Sequence, residues 1–123
     1  MKTMSRTDAL RVIESLIVKS AKAQRRLAPE TWQHAMLARN LRALHVATTL
    51  ITGDVAQTVT HADLCDALKE LASLTRKAEK ARAKFARGTS QCTLQQNRIS
   101  AFSLAAQFIR LRLELEKTVA RTL

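Results

Sequence analysis

The sequence predicts an all-α protein folded as an antiparallel four-helix bundle. Two Gly and one Pro among 123 residues are too few for the many tight turns of a sheet protein. Ala, Leu, Arg and Lys dominate, and these residues favour helix. An apolar fraction of 46% is enough for one hydrophobic core, and apolar residues recur at helical spacing through four segments. We therefore expect residues 1–123 to form a single helical-bundle domain.

The first two helices have recognisable start signals. The first helix is expected to begin after Ser5 or Thr7, with Asp8 in its first turn, where a carboxylate suits the helix dipole. The second is expected to have Pro29 in its first turn, because an N–H is not needed there. These signals predict that the first connection is short.

The second connection is the longest non-helical candidate. Gly53 is expected to end the second helix, since glycine readily adopts the left-handed conformation of a helix C-terminus. The stretch 53–60 follows, with room for a short fifth helix around Val55. Thr60 and Asp63 then have the spacing of a capping box, which predicts that the third helix begins there.

The last two helices complete the predicted bundle. Gly88 is expected to close the third helix, and Thr93 with Gln96 is expected to cap the fourth, which runs to the C-terminus. Long helices joined by short loops pack most simply as antiparallel neighbours. Six apolar residues are expected in the core: Ile17, Leu41, Leu44, Leu71, Leu74 and Phe108.

The third helix carries the most informative surface, because its two faces differ. One face is apolar: Leu64, Ala67, Leu71, Leu74, Ala78, Ala81 and Phe85. Five basic side chains share an arc of about 100° on the other: Arg76, Lys77, Lys80, Lys84 and Arg87. Glu79 is the only acid between positions 76 and 87, so pairing within the helix cannot neutralise this face. With a net charge of +11, we expect it to contact a polyanion, the alternative being a solvated surface.

Two further groups of bases extend this prediction to other helices. Lys19, Lys22 and Arg26 share an arc of about 60° on the first helix, opposite its apolar stripe. Arg39 and Arg42 are three residues apart on one face of the second. We predict that all of these residues bind the nucleic-acid backbone, whether RNA or single-stranded DNA.

The expected binding mode is contact with phosphates, independent of base sequence. No helix-turn-helix, zinc-finger or RNP-type motif is present, and all three Phe occupy core-type positions. Base stacking is therefore not expected, except through Trp32. Trp32 itself is either a core plug at the end of the bundle or an exposed anchor for a partner protein.

The sequence carries no pattern typical of an enzyme or a metal site. His61 and Cys65 lie four residues apart and would share a helix face, but no second pair of ligands accompanies them. No glycine-rich phosphate loop and no nucleophile with a base is present. We expect no catalysis, cofactor or metal. Unpaired cysteine spacing, with neither a signal sequence nor a membrane-spanning apolar run, predicts a cytoplasmic protein.

A resemblance to a known class rests on architecture and charge. Three segments support it: the basic first helix RTDALRVIESLIVKSAKAQRR, the second-helix run LARNLRALHVATTLI and the Lys/Arg face of the third helix. A chain of this size and kind resembles the small α-helical subunits of CRISPR effector complexes. The resemblance implies a subunit that stacks along the guide and the displaced strand and contacts nucleic acid through surface Lys and Arg. It gives no residue-by-residue correspondence.

A protein-binding bundle is the rival interpretation. Such a bundle would be an adaptor, a chaperone, an inhibitor or a phage or plasmid regulator that docks on an acidic partner. Export chaperones and DNA mimics tend to be acidic, and this chain is strongly basic. The sequence therefore favours a nucleic-acid-binding subunit of a larger nucleoprotein complex, and it leaves the acidic protein partner as the alternative.

Overall fold

The computed structural model describes residues 4–54 and 57–122, which form four helices and no strand. The helices are α1 (Arg6–Arg25), α2 (Trp32–Thr52), α3 (His61–Ala83) and α4 (Ser90–Thr122). Consecutive helices pack side by side, α4 closes the bundle against α1 and also contacts α2, and α1 does not contact α3 within this part of the chain. The all-α four-helix bundle is thus confirmed. The fifth helix expected around Val55 falls on residues 55 and 56, outside the described residues.

Three of the expected helix boundaries are confirmed. Ser5 caps α1, because its hydroxyl accepts a hydrogen bond of 3.1 Å from the backbone N–H of Asp8. Thr60 and Asp63 form the expected reciprocal capping box at the start of α3. Gly53 ends α2 in the left-handed conformation, with φ of 73°. Each of these signals acts over three or four residues, which is why the sequence alone predicts them.

The expected start of α2 at Pro29 is wrong. The helix begins at Trp32, and Pro29 lies in the preceding turn. The hydroxyl of Thr31 accepts a hydrogen bond from the N–H of His34 and donates one to the carbonyl of Ala28, at 3.2 and 2.8 Å. Thr31 is therefore the N-cap, and the turn before it uses the residues that would have formed the first helical turn.

The end of α3 also differs from expectation. α3 ends at Ala83, and Gly88, with φ of 83°, lies in the following turn. The N–H groups of Lys84 and Phe85 bond to carbonyls three residues back, which tightens the chain out of the α-helix. The predicted helix is therefore too long by more than one turn.

The fourth helix begins earlier than its predicted capping box. The hydroxyl of Thr89 accepts a hydrogen bond of 3.2 Å from the N–H of Cys92, so Thr89 caps a helix that starts at Ser90. Thr93 and Gln96 lie inside α4. Two capping candidates four residues apart compete here, and the early end of α3 favours the first.

The core lies in one half of the bundle. Leu44 and Leu71 are 1% exposed, which confirms them as core residues. Ile17, Leu74 and Phe108 are half-buried and pack against the core, and Leu41 is half-buried. The buried apolar residues are Ala9, Ile13, Ala43, Leu44, Val46, Ala47, Leu50, Ile51, Leu64, Ala67, Leu71, Ala78, Ala101, Phe102, Ala105 and Ile109.

Candidate nucleic-acid interface

Side-chain contacts between helices show which helix termini lie together at each end of the bundle. One end brings together the second half of α1, the start of α2, the second half of α3 and the start of α4. Three hydrogen bonds hold it: Gln24 Nε2 to the His34 carbonyl, Lys77 Nζ to Met36 Sδ, and Arg82 to Gln96 Oε1. The opposite end joins the start of α1 to the end of α2, through Arg6 and the Ile51 carbonyl, and α3 to α4, through His61 and Glu116.

Most of the net charge lies at the first of these ends, which we call the basic end and define as residues 16–38 and 73–100. It contains eleven basic residues and only two acidic ones, Glu30 and Glu79, which gives a net charge of +9. The rest of the chain has ten basic and eight acidic residues, a net of +2. The bases of the basic end are Lys19, Lys22, Arg25, Arg26, Arg76, Lys77, Lys80, Arg82, Lys84, Arg87 and Arg98.

The five predicted phosphate contacts of α3 all lie at the basic end and are all exposed. Arg76, Lys77 and Lys80 project from α3 itself, and Lys84 is its C-cap. Arg87 lies in the turn to α4, so the prediction that it belongs to the helical face is wrong. The reason is the early end of α3, after which the helical periodicity no longer sets the direction of a side chain.

The bases of α1 form a second group at the same end. Lys19 and Lys22 are exposed on the last turns of α1, and Arg26 is its exposed C-cap. Because α1 and α3 are diagonal in the bundle and do not contact each other, their basic groups do not merge into one flat face. They instead flank the start of α2 from two sides.

Arg39 and Arg42 have a different environment from the other candidates. Arg39 Nε lies 3.5 Å from Glu70 Oε1, and Arg42 helps to lower the pKa of Asp63, after the larger effect of the hydrogen bonds from Thr60. A cleft between α2 and α3 is lined by these bases with three acids and a lysine, and therefore carries no net charge. Its charged residues are Arg39, Arg42, Asp63, Asp66, Lys69 and Glu70. Much of the charge of Arg39 and Arg42 is thus offset locally.

Two aromatic side chains are exposed at the basic end. Trp32, the first residue of α2, is 69% exposed and is therefore not a core plug. Phe85 is 40% exposed, so its expected place in the core is wrong. Phe85 follows the end of α3 and so leaves the apolar face whose spacing predicted its burial. One signal in the sequence could have indicated this exposure, since Phe85 lies only three residues before a glycine.

Arg82 contributes to the structure more than to the exposed surface. It is half-buried, and its guanidinium donates a hydrogen bond to Gln96 on α4. Arg98, also half-buried, has a lowered pKa because burial disfavours its charged form. Arg98 lines a cleft against α1 beside Arg11 and Leu16. The sequence did not single out Arg98, because partial burial of a charged residue follows from helix packing.

The histidine and cysteine of α3 lie close together, and a carboxylate of α4 lies beside the histidine. His61 Nε2 lies 3.5 Å from Cys65 Sγ, and the other ring nitrogen lies 3.1 Å from Glu116 Oε2. Both ring nitrogens therefore already have neighbours in the protein. Among the described residues, no group of three or more His, Cys, Asp or Glu side chains is placed to hold a metal ion.

Comparison of the chain with protein-family models, curated proteins and solved structures finds no match. Within residues 4–54 and 57–122, none of the helices combines the length and apolar character needed to cross a membrane. The function must therefore be argued from the distribution of charge and exposed side chains.

Proposed function

We propose that this protein binds the sugar–phosphate backbone of nucleic acid through its basic end, without reading base sequence and without catalysis. The observation that supports the proposal is the net charge of +9 at one end of the bundle, against +2 for the rest of the chain. Charge spread evenly over the surface would serve solubility equally well. Concentration at one end creates a local field that attracts a polyanion.

The geometry of α3 fits contact with several phosphates. Arg76 to Lys84 spans eight residue steps, about 12 Å along the helix at about 1.5 Å per residue. Their side chains are exposed and long, so each can reach a phosphate while its charge stays hydrated before binding. Binding then releases the counterions of the nucleic acid, which makes the affinity strongly dependent on salt.

The proposed setting is a larger nucleoprotein complex in which this chain is one subunit. Small helical subunits of RNA-guided effector complexes, which the chain resembles in size, architecture and charge, are the proposed type. In that setting the RNA or single-stranded DNA is held by several proteins together. Modest, sequence-independent affinity from each subunit is then sufficient.

The test reverses charge at the basic end and compares it with an equal reversal elsewhere. Lys80→Glu with Lys84→Glu removes about two phosphate contacts, so the log–log salt slope should become shallower by about 1.4 for a single strand. Arg110→Glu with Arg121→Glu makes the same change in net charge on exposed positions of α4 outside the basic end. Affinity for a labelled oligonucleotide is measured by fluorescence anisotropy at several salt concentrations.

The two double variants give distinguishable results. If the basic end binds nucleic acid, the α3 reversal abolishes most of the affinity and the α4 reversal reduces it only slightly. Equal losses would show that net charge alone matters, and an unchanged salt slope in the α3 variant would remove the support for this interface. Circular dichroism should show the same helical content in both variants, because all four side chains are exposed.

A protein-binding bundle is the second candidate, and one observation favours it. Leu111, Leu115 and Val119 lie at four-residue spacing on α4 and are 63%, 62% and 55% exposed. A row of large apolar side chains exposed on one helix is typical of a protein contact surface. If the α3 reversal leaves nucleic-acid binding intact, docking on a partner protein becomes the preferred function.

A further inference from the structure

We infer that the basic end takes single-stranded nucleic acid in preference to duplex, because an unpaired base stacks on the indole of Trp32. This inference rests on the proposed function and specifies its substrate class. The sequence predicted phosphate contact without base stacking, except through Trp32, since the three Phe have core-type spacing. The structure makes that exception the relevant case, because Trp32 is exposed at the end of the bundle where the positive charge is concentrated.

The indole is exposed but its backbone is well fixed. Trp32 is the first residue of α2, directly after the N-cap Thr31. The two hydrogen bonds of the Thr31 hydroxyl, to His34 N–H and to the Ala28 carbonyl, hold the turn on both sides of it. With its position fixed, an aromatic ring loses little freedom when a base stacks on it, which favours binding.

The helix that packs against the start of α2 carries positive charge. Lys77 Nζ contacts Met36 Sδ, which places the second half of α3 against the start of α2. Trp32 lies one turn before Met36 on α2. Since the helices are antiparallel, the next turns of α3, with Lys80 and Lys84, run alongside the position of Trp32. A nucleic-acid strand bound along these lysines would therefore pass the indole.

This combination distinguishes single strands from duplexes. In a duplex the faces of the bases are covered by their neighbours, so an indole on a protein surface meets only backbone and groove edges. In a single strand a base can turn outward and stack on an aromatic ring, whichever base it is. Basic residues with an adjacent exposed aromatic ring are the combination that sequence-tolerant single-strand binders use. Phe85, also exposed at this end, is a candidate for a second stacked base.

The composition of the chain provides a direct probe. It contains one Trp and no Tyr, so its intrinsic indole fluorescence reports on Trp32 alone. Oligothymidylate, oligouridylate and a DNA duplex of equal length are titrated into the wild-type protein at low salt. We expect both single strands to quench the fluorescence and to bind more tightly than the duplex, which binds without quenching.

Variants of Trp32 separate stacking from general apolar contact. Trp32→Ala should weaken single-strand binding roughly 5- to 150-fold, the loss of one stacked base, and leave duplex affinity unchanged. Trp32→Phe keeps a ring and should recover part of the affinity, whereas Trp32→Leu, apolar without a ring, should not. Because the side chain is mostly exposed, all three variants should retain the wild-type helical content.

The possible failures are distinct. Equal binding of single strand and duplex without quenching, or an unchanged affinity in Trp32→Ala, overturns the stacking inference while the backbone-binding function stands. Recovery by Leu as well as by Phe also overturns it, and identifies Trp32 as an apolar anchor of the protein-binding kind. Absence of binding to every oligonucleotide at low salt overturns both the inference and the proposed function.

Discussion

The two ends of the bundle differ in packing and in charge. The basic end has little buried surface and a high positive charge, and the rest of the bundle has most of the core and little net charge. Within the described residues, Ala78 is the only buried residue of the basic end, and all other buried residues lie in the rest of the bundle. The basic end carries a net charge of +9, whereas in the rest of the bundle bases lie beside acids, as Arg39 does beside Glu70. Stability and charge are thus kept apart. Charged groups close to a dry core would lose hydration, so this separation leaves the basic side chains available to a ligand.

The largest expected effect tests the packing half of this comparison. Leu64 is fully buried at the start of α3, so Leu64→Ala should lower the free energy of unfolding by about 2–5 kcal/mol. Leu27, half-buried at the basic end, is the matched control, and Leu27→Ala should cost clearly less. Urea denaturation followed by circular dichroism measures both. Equal losses would show that the basic end is as tightly packed as the rest.

A second prediction separates free charge from paired charge. Lys80→Ala should make the log–log salt slope of single-strand binding shallower by about 0.7, the contribution of one phosphate. Arg39→Ala removes the same formal charge, but Arg39 lies beside Glu70 and outside the basic end, so the slope should change much less. Anisotropy titrations at several salt concentrations measure both slopes. A larger effect of Arg39→Ala would place the interface at the α2–α3 cleft instead.

The smallest expected effect is that of low pH on stability, through Asp63 at the start of α3. The hydrogen bonds of Thr60, followed by the positive charge of Arg42, hold the pKa of Asp63 below its usual 3.8. A carboxyl whose pKa is lowered in the folded state stabilises the protein at any pH above its pKa in the unfolded state. This stabilisation is lost as pH falls through the pKa of the folded state. Wild type should therefore lose more stability than Asp63→Ala between neutral pH and about pH 3. Parallel curves for the two proteins would show that the capping box contributes nothing to the pH dependence.

Local features of the fold were predictable because their physical causes act over a few residues. The Ser5 cap, the Thr60–Asp63 capping box and the left-handed Gly53 each depend on groups three or four positions apart. Where two local signals competed, the prediction was wrong. Thr31 replaced Pro29 as the start signal of α2. An early end of α3 let Thr89, and not Thr93, cap α4.

The candidate site was predictable only in part. The exposed bases of α1 and α3 followed from helical periodicity, because each group lies opposite an apolar stripe of its own helix. Periodicity does not describe residues beyond a helix end, and so it misplaced Phe85 and Arg87. It is also blind to neighbours on other helices, so it treated Arg39 like Lys80, although Glu70 of α3 lies beside Arg39.

The sequence by itself determined the helical class, the four long helices, the cationic faces of α1 and α3 and part of the core, because these properties come from composition and spacing along the chain. The tertiary structure decided which charges gather at one end and which meet acids of a neighbouring helix. It also decided that Trp32 stands exposed at the basic end. These properties depend on the relative position of helices, set by the packing of apolar surfaces between segments that are distant in sequence.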